Sequence, residues 1–307
     1  MIQPLKNLKV VLTNDDGCPD NVHSPFVKYL VEAIELSTNW DLTICVPSEQ
    51  KSWIGKAYFA DKDLTGSYIY SAISKPEDNS YFGPFSQPNP EYQSDPSLKE
   101  WCLVDGTPAS CCDIGLNHLS NPKEVDLVIS GPNLGRNSTA LYALSSGTFG
   151  GALEACHHNK KAVVLSYAFD EFTSTVYDEF STDPSILREA AKISVKMIQK
   201  LYDNWNPEVD LYSINVPLVD TLKLGETKMV WAPMMQNRWG SSLFKKANLS
   251  GTSINYKWDP NYVEVCRSIQ ESTIPTDGKL VEDGFVTVTG MKSLYHQTEY
   301  EHCEFTL

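Results

Sequence analysis

Two adjacent acidic residues at the end of an apolar run are the first chemical feature of this chain. Leu8–Thr13 (LKVVLT) runs into Asn14-Asp15-Asp16-Gly17. Carboxylates that close raise one another's pKa unless a cation lies between them. Together with neutral oxygens from Ser52 and Asn133, Asp15 and Asp16 make an all-oxygen donor set, which suits Mg²⁺ or Mn²⁺ rather than zinc. Asp-Asp-Gly is equally the composition of a solvated turn, so local sequence leaves both readings open. The second feature is Ser146-Gly147-Thr148, just ahead of a helix predicted over Phe149 to His158. Free N–H groups and the helix dipole at such a start favour a phosphate. An ordinary Ser or Thr N-cap accounts for the same residues.

Other chemistries are excluded by what is missing. A haloacid-dehalogenase site needs Asp two residues before Asp105-Gly106-Thr107, where this chain has Leu103. That stretch, with Pro108 next, is explained by a turn and a helix cap. No GxxxxGK[ST] loop occurs, Gly131-Pro132-Asn133-Leu134-Gly135 does not fit GxGxxG, and there is no GxSxG elbow. His157, His158 and His296 have no partners at metal-ligand spacing and read as surface or packing histidines.

These residues need elements to hold them. Leu8–Thr13, Leu42–Val46, Trp101–Val104, Val125–Ser130, Lys161–Ser166 and Asp210–Val216 read as buried strands. Helices are predicted between them: one capped by Ser24 with Pro25 in its first turn, one from Thr107-Pro108 to about Leu119, and a long one from Asp183-Pro184. Strand and helix in alternation predict an α/β fold, a Rossmann-like, mostly parallel sheet with helices on both faces. The core is assigned to residues 1–217, with a largely irregular excursion over about 60–100. Residues 218–307 change to short β-like pieces at Lys228–Trp231, Ser253–Trp258 and Phe285–Thr289. They read as an α+β extension with a hairpin arm suited to self-association. In an open α/β sheet the ligand crevice lies beyond the carboxyl ends of the strands, and the polar residues gather at those ends.

The chain has 307 residues, 21% of them charged and 41% hydrophobic, the balance of a folded domain. With 39 acidic residues against 25 basic ones, the net charge of −14 argues against duplex nucleic acid or an anionic membrane as partner. An anionic substrate then requires local compensation. No signal peptide or membrane span is expected. Eight scattered cysteines without CxxC pairs read as free thiols in a reducing, cytoplasmic setting.

Taken in order, the motifs resemble the SurE family of survival-protein nucleotidases. They are Leu12-Thr13-Asn14-Asp15-Asp16-Gly17, Val46-Pro47 with Ser52 and Gly55, and Asp105-Gly106-Thr107-Pro108-Ala109. Ser130-Gly131-Pro132-Asn133-Leu134-Gly135-Arg136-Asn137 and Ser146-Gly147-Thr148-Phe149-Gly150-Gly151 come next. Ile214-Asn215-Val216-Pro217, Arg238-Trp239 and Asp277 come last. The resemblance implies a divalent-metal-dependent phosphomonoesterase acting on nucleoside 5′- and 3′-monophosphates, and a homodimer. Carried over by position, the metal ligands are Asp15, Asp16, Ser52 and Asn133. Asn137 with Ser146, Gly147 and Thr148 lines the phosphate site. Such hydrolysis works by polarising a phosphoryl oxygen and acidifying water, with N–H donors stabilising the charge that develops.

Lys51 to Ala57 and Ser130 to Asn133 resemble the fungal branch, which holds acid phosphatases and chains fused to a tubulin-tyrosine-ligase-like domain linked to mRNA decay. A longer stretch than in bacterial members, Ser138 to Ser145, separates the two site blocks. That altered rim keeps open a different reading, a phosphatase-like fold serving as a protein-interaction module.

Overall fold

In chain order the strands are β1 (Lys9–Thr13), β2 (Asp41–Pro47), β3 (Gly66–Ala72), β4 (Phe82–Phe85), β5 (Leu98–Val104) and β6 (Leu127–Leu134). They continue with β7 (Lys161–Ala168), β8 (Leu211–Pro217), β9 (Met229–Trp231), β10 (Phe244–Lys246), β11 (Tyr256–Trp258) and β12 (Val286–Met291). The helices are α1 (Val27–Ser37), α2 (Pro90–Gln93), α3 (Pro108–Ile114), α4 (Ala140–Ser145), α5 (Gly147–His157), α6 (Pro184–Asp203), α7 (Tyr262–Gln270) and α8 (Asp277–Glu282). This computed structural model describes residues 7–169, 182–247 and 254–295.

One sheet runs in the order β4-β3-β5-β2-β1-β6-β7-β8-β12-β9. Its centre, β5-β2-β1-β6-β7-β8, is parallel throughout. From β1 the chain winds outward through β2 to β5, and from β6 it winds the other way to β8. The strand order therefore reverses between β1 and β6, the position at which doubly wound sheets open a ligand crevice.

Side chains alternate across this sheet, and both faces are buried. Val10, Leu12, Leu127, Ile129, Val163 and Leu165 face a core shared with α1 and α6. Val11, Val128, Ala162 and Val164 face the opposite core, built with α3 and α5. A sheet apolar on both sides explains why these strands read as continuous hydrophobic runs rather than alternating ones.

Three expectations change. First, α1 begins at Val27 with Phe26 at its cap and no side-chain cap bond. Ser24 is instead buried and accepts a hydrogen bond from Asn14 Nδ2 at 3.1 Å, so it serves the first loop. Second, the excursion over 60–100 is irregular over its larger part but holds two paired strands. Its strand β3 lies antiparallel to β5 and carries β4 on its outer edge. Ile69 and Tyr70 are fully buried there, and Trp101 Nε1 donates to Ser71 Oγ at 2.9 Å. The Tyr, Ser and Gly content of β3 hides its period, and β5 supplies the order from about thirty residues away. Third, the helix opened by Pro108 ends at Ile114 and passes into a π-helical turn, Gly115–Leu119.

Beyond β8, β12 pairs antiparallel to it and β9 adds to β12, so both extend the main sheet. β10 and β11 form a separate antiparallel hairpin. The predicted strand at 253–258 is β11; residue 253 lies outside the described residues, as do His296 and Cys303.

Candidate active site

The Asp15-Asp16 pair stands at the carboxyl end of β1, facing the strand-order reversal. Both residues are only 2% exposed, which excludes the solvated-turn reading. Their loop is tied from several sides. Asn14 Nδ2 donates to the Gly17 carbonyl and Asn14 Oδ1 accepts from Gly17 N, at 3.1 and 3.0 Å. Lys51 N, from the loop after β2, donates to the Asp15 carbonyl at 2.7 Å. Gly17 has φ +92°, and a Cβ there would lie 2.7 Å from the Glu49 carbonyl carbon, so only glycine fits the turn.

The other wall comes from β6 and the loop after it. The register of β6 with β7 shifts between Ser130 and Asn133, giving β6 one extra residue at Gly131-Pro132. Such a bulge re-aims the side chains beyond it. Asn133 lines the cavity with its Nδ2 committed to the Gly135 carbonyl at 2.8 Å, which leaves Oδ1 as the atom it can offer a ligand. Leu134 N donates to Asp16 Oδ2 at 2.7 Å.

A buried polar chain then connects the loops after β1 and β6 with α5 and β7. Asn137 Nδ2 donates to Ser166 Oγ at 2.9 Å and to Thr148 Oγ1 at 3.2 Å, and Thr148 Oγ1 donates to Asp15 Oδ1 at 2.6 Å. Asn137 N in turn donates to Asn215 Oδ1 at 3.0 Å. Ser146 caps α5 by accepting from Phe149 N at 3.2 Å, as the N-cap reading expects, while also lining the cavity. Gly147 is pressed on the acidic pair: a Cβ there would lie 2.7 Å from Asp15 Cβ.

These walls enclose a cavity of about 280 Å³ lined by Asp15, Ser52, Asn133, Asn137 and Ser146 among others. Ser52 is exposed at its rim. Gly147, Thr148 and Asp16 are not lining residues; they stand behind Asp15 or beside it. Burial pushes the Asp15 carboxyl above its ordinary range, against the opposing hydrogen bonds from Thr148 and the backbone of Gly147. Burial, and then repulsion from Asp15, push Asp16 well above its own. Asp16 Oδ1 is buried without a hydrogen-bond partner. An orphaned carboxylate oxygen beside a second buried carboxylate is costly in isolation, and a cation relieves both costs. The donor set therefore fits a hard divalent ion.

Ser166 and Asn215 were not among the sequence-predicted site residues. Each is a polar residue near the carboxyl end of a buried strand, and Asn215 also stands in the Ile214–Pro217 block. Asp277 also contributes from the C-terminal extension: its carboxylate accepts from Thr139 N at 2.8 Å and Met235 N at 2.9 Å. It thereby holds the loop beyond Asn137, where Thr139 has φ +73°. The histidine reading needs one correction. His158 Nε2 lies 3.1 Å from both Asp113 Oδ1 and Glu154 Oε1. Lys56 Nζ already neutralises Glu154 at 2.7 Å, so this is an ion-pair cluster with its own cation.

The family model described as survival protein SurE matches residues 10–241, which include every site residue described except Asp277. The chain belongs to the SurE family. It is 37% identical to the Saccharomyces cerevisiae protein named probable tubulin–tyrosine ligase PBY1, over 94% of this chain and 41% of that protein. The chain thus spans well under half of that relative's length. It is 27% identical to 5′-nucleotidase SurE of Archaeoglobus fulgidus, over 93% of this chain and 91% of the relative. The crystal structure of the SurE protein from Aquifex aeolicus superposes with a TM-score of 0.62 at 20% identity, covering 94% of each chain, and so shares the fold.

Proposed function

We propose that this protein is a divalent-metal-dependent phosphomonoesterase that hydrolyses nucleoside 5′- or 3′-monophosphates. The observation that carries this reading is the buried Asp15-Asp16 pair, with Asp16 Oδ1 unpartnered, at the β1/β6 crevice. Relatives named 5′-nucleotidase across nearly the whole chain support the substrate class. Asp15, Asp16, Asn133 and Ser52 would hold Mg²⁺ or Mn²⁺, which supplies Lewis-acid polarisation of the phosphoryl group and a more acidic water.

The chain's own residues do the positioning. Ser146 presents its hydroxyl from the cavity wall, and Asn137, with its N–H donors taken by Asn215, Thr148 and Ser166, holds that wall in place. Thr148 fixes the Asp15 carboxylate through its hydroxyl, and Gly147 allows α5 to approach it. Leu134 N orients Asp16. Arg136 lines the cavity with its guanidinium paired to Glu282 at 3.3 Å.

A homodimer joined through the C-terminal extension belongs to the same reading, supported by Tyr256 and Phe244, 65% and 49% exposed on the β10–β11 hairpin. So does a reducing, cytoplasmic setting, supported by seven free thiols among the described residues. No helix among those residues is long and apolar enough to cross a membrane. The test is phosphate release from adenosine 5′-monophosphate and p-nitrophenyl phosphate with Mn²⁺, Mg²⁺ or EDTA. Metal-stimulated release that Asp15→Ala abolishes in a folded protein is expected. Absence of release with either ion would reject the proposal in favour of the interaction-module reading.

A further inference from the structure

The cavity is lined by two chemically different groups. Beside the carboxylate and amides stand Trp53, Tyr142 and Tyr262, which belong to one apolar cluster. Trp53 follows Ser52 directly and is the hub of an aromatic group. Its ring lies 5.8 Å from Tyr142 edge-on and 6.1 Å from Tyr262, measured between centroids. Trp239 lies 6.3 Å away and Trp258, on the β10–β11 hairpin, 5.4 Å.

Trp53 also has φ +64°. A bulky residue in that region is a steric outlier, and it persists only where the surroundings over-determine it. Here the loop is pinned on both sides, by Lys51 N on the Asp15 carbonyl and by Gly55 N on the Ser145 carbonyl at 2.7 and 2.9 Å. Those two bonds hold the indole in the cavity lining. Trp53 is only half-buried despite its four ring neighbours, and Trp258 remains 39% exposed. A cavity of about 280 Å³ suits a small ligand, near the lower end of the roughly 300–1,000 Å³ usual for such sites.

We infer that Trp53 is the centre of a nucleobase-binding wall, so that the phosphate end of a mononucleotide lies toward Asp15 and Asn137 and its planar base packs on the aromatic side. This rests on the phosphomonoesterase reading for the orientation of the ligand, but the wall itself is a binding claim. Aromatic faces stack on any base, because every base has a π face. The wall therefore separates nucleotides from sugar phosphates more sharply than one base from another.

The experiment compares adenosine 5′-monophosphate with ribose 5-phosphate, in which an anomeric hydroxyl replaces the base. Calorimetric titration of the Mn²⁺-loaded wild-type protein with the methylenephosphonate analogues of the two, whose C–P bond is not hydrolysed, gives both dissociation constants without requiring turnover. Stacking predicts at least about tenfold tighter binding of the nucleotide, about 1.4 kcal/mol. Trp53→Phe should keep most of that ratio, whereas Trp53→Ala and Trp53→Leu should bring it toward one. Equal affinities in the wild type, no binding of either compound, or an undiminished ratio in both Trp53→Ala and Trp53→Leu would overturn the inference. A retained nucleotide preference with no metal-stimulated hydrolysis would reject the phosphatase reading and leave the wall standing.

Discussion

The Thr148 hydroxyl donates to Asp15 Oδ1 at 2.6 Å, joining the first turn of α5 to the end of β1 across 133 residues of sequence. Both groups are buried, and the same hydroxyl accepts from Asn137. The bond therefore fixes one carboxylate and one amide of the candidate site at once. Thr148→Val keeps the shape of the side chain and removes the bond. Hydrogen bonds to charged groups contribute about 1.5–3 kcal/mol, so kcat/KM on a nucleotide should fall roughly 10- to 100-fold. An unchanged kcat/KM would show that Asp15 needs no such support.

Asp16 predicts a stability change that depends on metal. Its Oδ1 is buried and unpartnered and its carboxyl is pushed well above the ordinary range, so an ionised Asp16 is costly without metal. In EDTA, Asp16→Asn should raise Tm by a few degrees, about 1–2 kcal/mol for a chain of this size. Mn²⁺ at about 100 times its Kd should stabilise the wild type by about 2.7 kcal/mol and the variant far less. Equal metal-induced shifts in melting scans of the two proteins would remove Asp16 from the donor set.

Gly147 separates catalysis from stability. Alanine is the better helix former by about 1 kcal/mol in a helix interior, and by less at Gly147, the first residue of α5. Its methyl would nevertheless sit 2.7 Å from Asp15 Cβ and 3.1 Å from Ile54 Cγ2. Because α5 or the acidic loop must move, Gly147→Ala should lower kcat/KM at least about tenfold. The melting temperature should change by only a few degrees, the steric cost being partly offset by helix propensity. Full activity in steady-state assays would show that the close approach has no catalytic consequence.

The Lys56–Glu154 pair sets a pH-dependent stability. Burial raises the Glu154 pKa, but hydrogen bonds from Lys56 and Tyr58 outweigh it and leave the carboxyl below its ordinary value. A depressed carboxyl stabilises the fold above its unfolded pKa of about 4.3, and that contribution disappears as pH falls through the folded value. Lys56→Met should cost about 1–3 kcal/mol at pH 7, by leaving Glu154 without its cation. The gap between variant and wild type should narrow below about pH 4. Denaturant unfolding at both pH values checks this, and a gap independent of pH would contradict it.

Local sequence determined what depends on neighbours along the chain. Val10 to Leu12 and Val163 to Leu165 had to be buried strands, and Gly17 had to turn. Ser146 had to cap a helix, and the polar residues had to fall at strand ends. The ordered blocks from Asn14 to Thr148 also carried the family. Only the tertiary structure decided which of these groups meet. The burial of Asp15 and Asp16, the support of Asn137 by Ser166 and Asn215, and the contact of His158 with Asp113 all join residues distant in sequence. So does the pairing that makes a strand of Gly66–Ala72. Periodicity reports which side of an element is apolar, whereas long-range contacts depend on how the sheet orders its strands, and no local window contains that order.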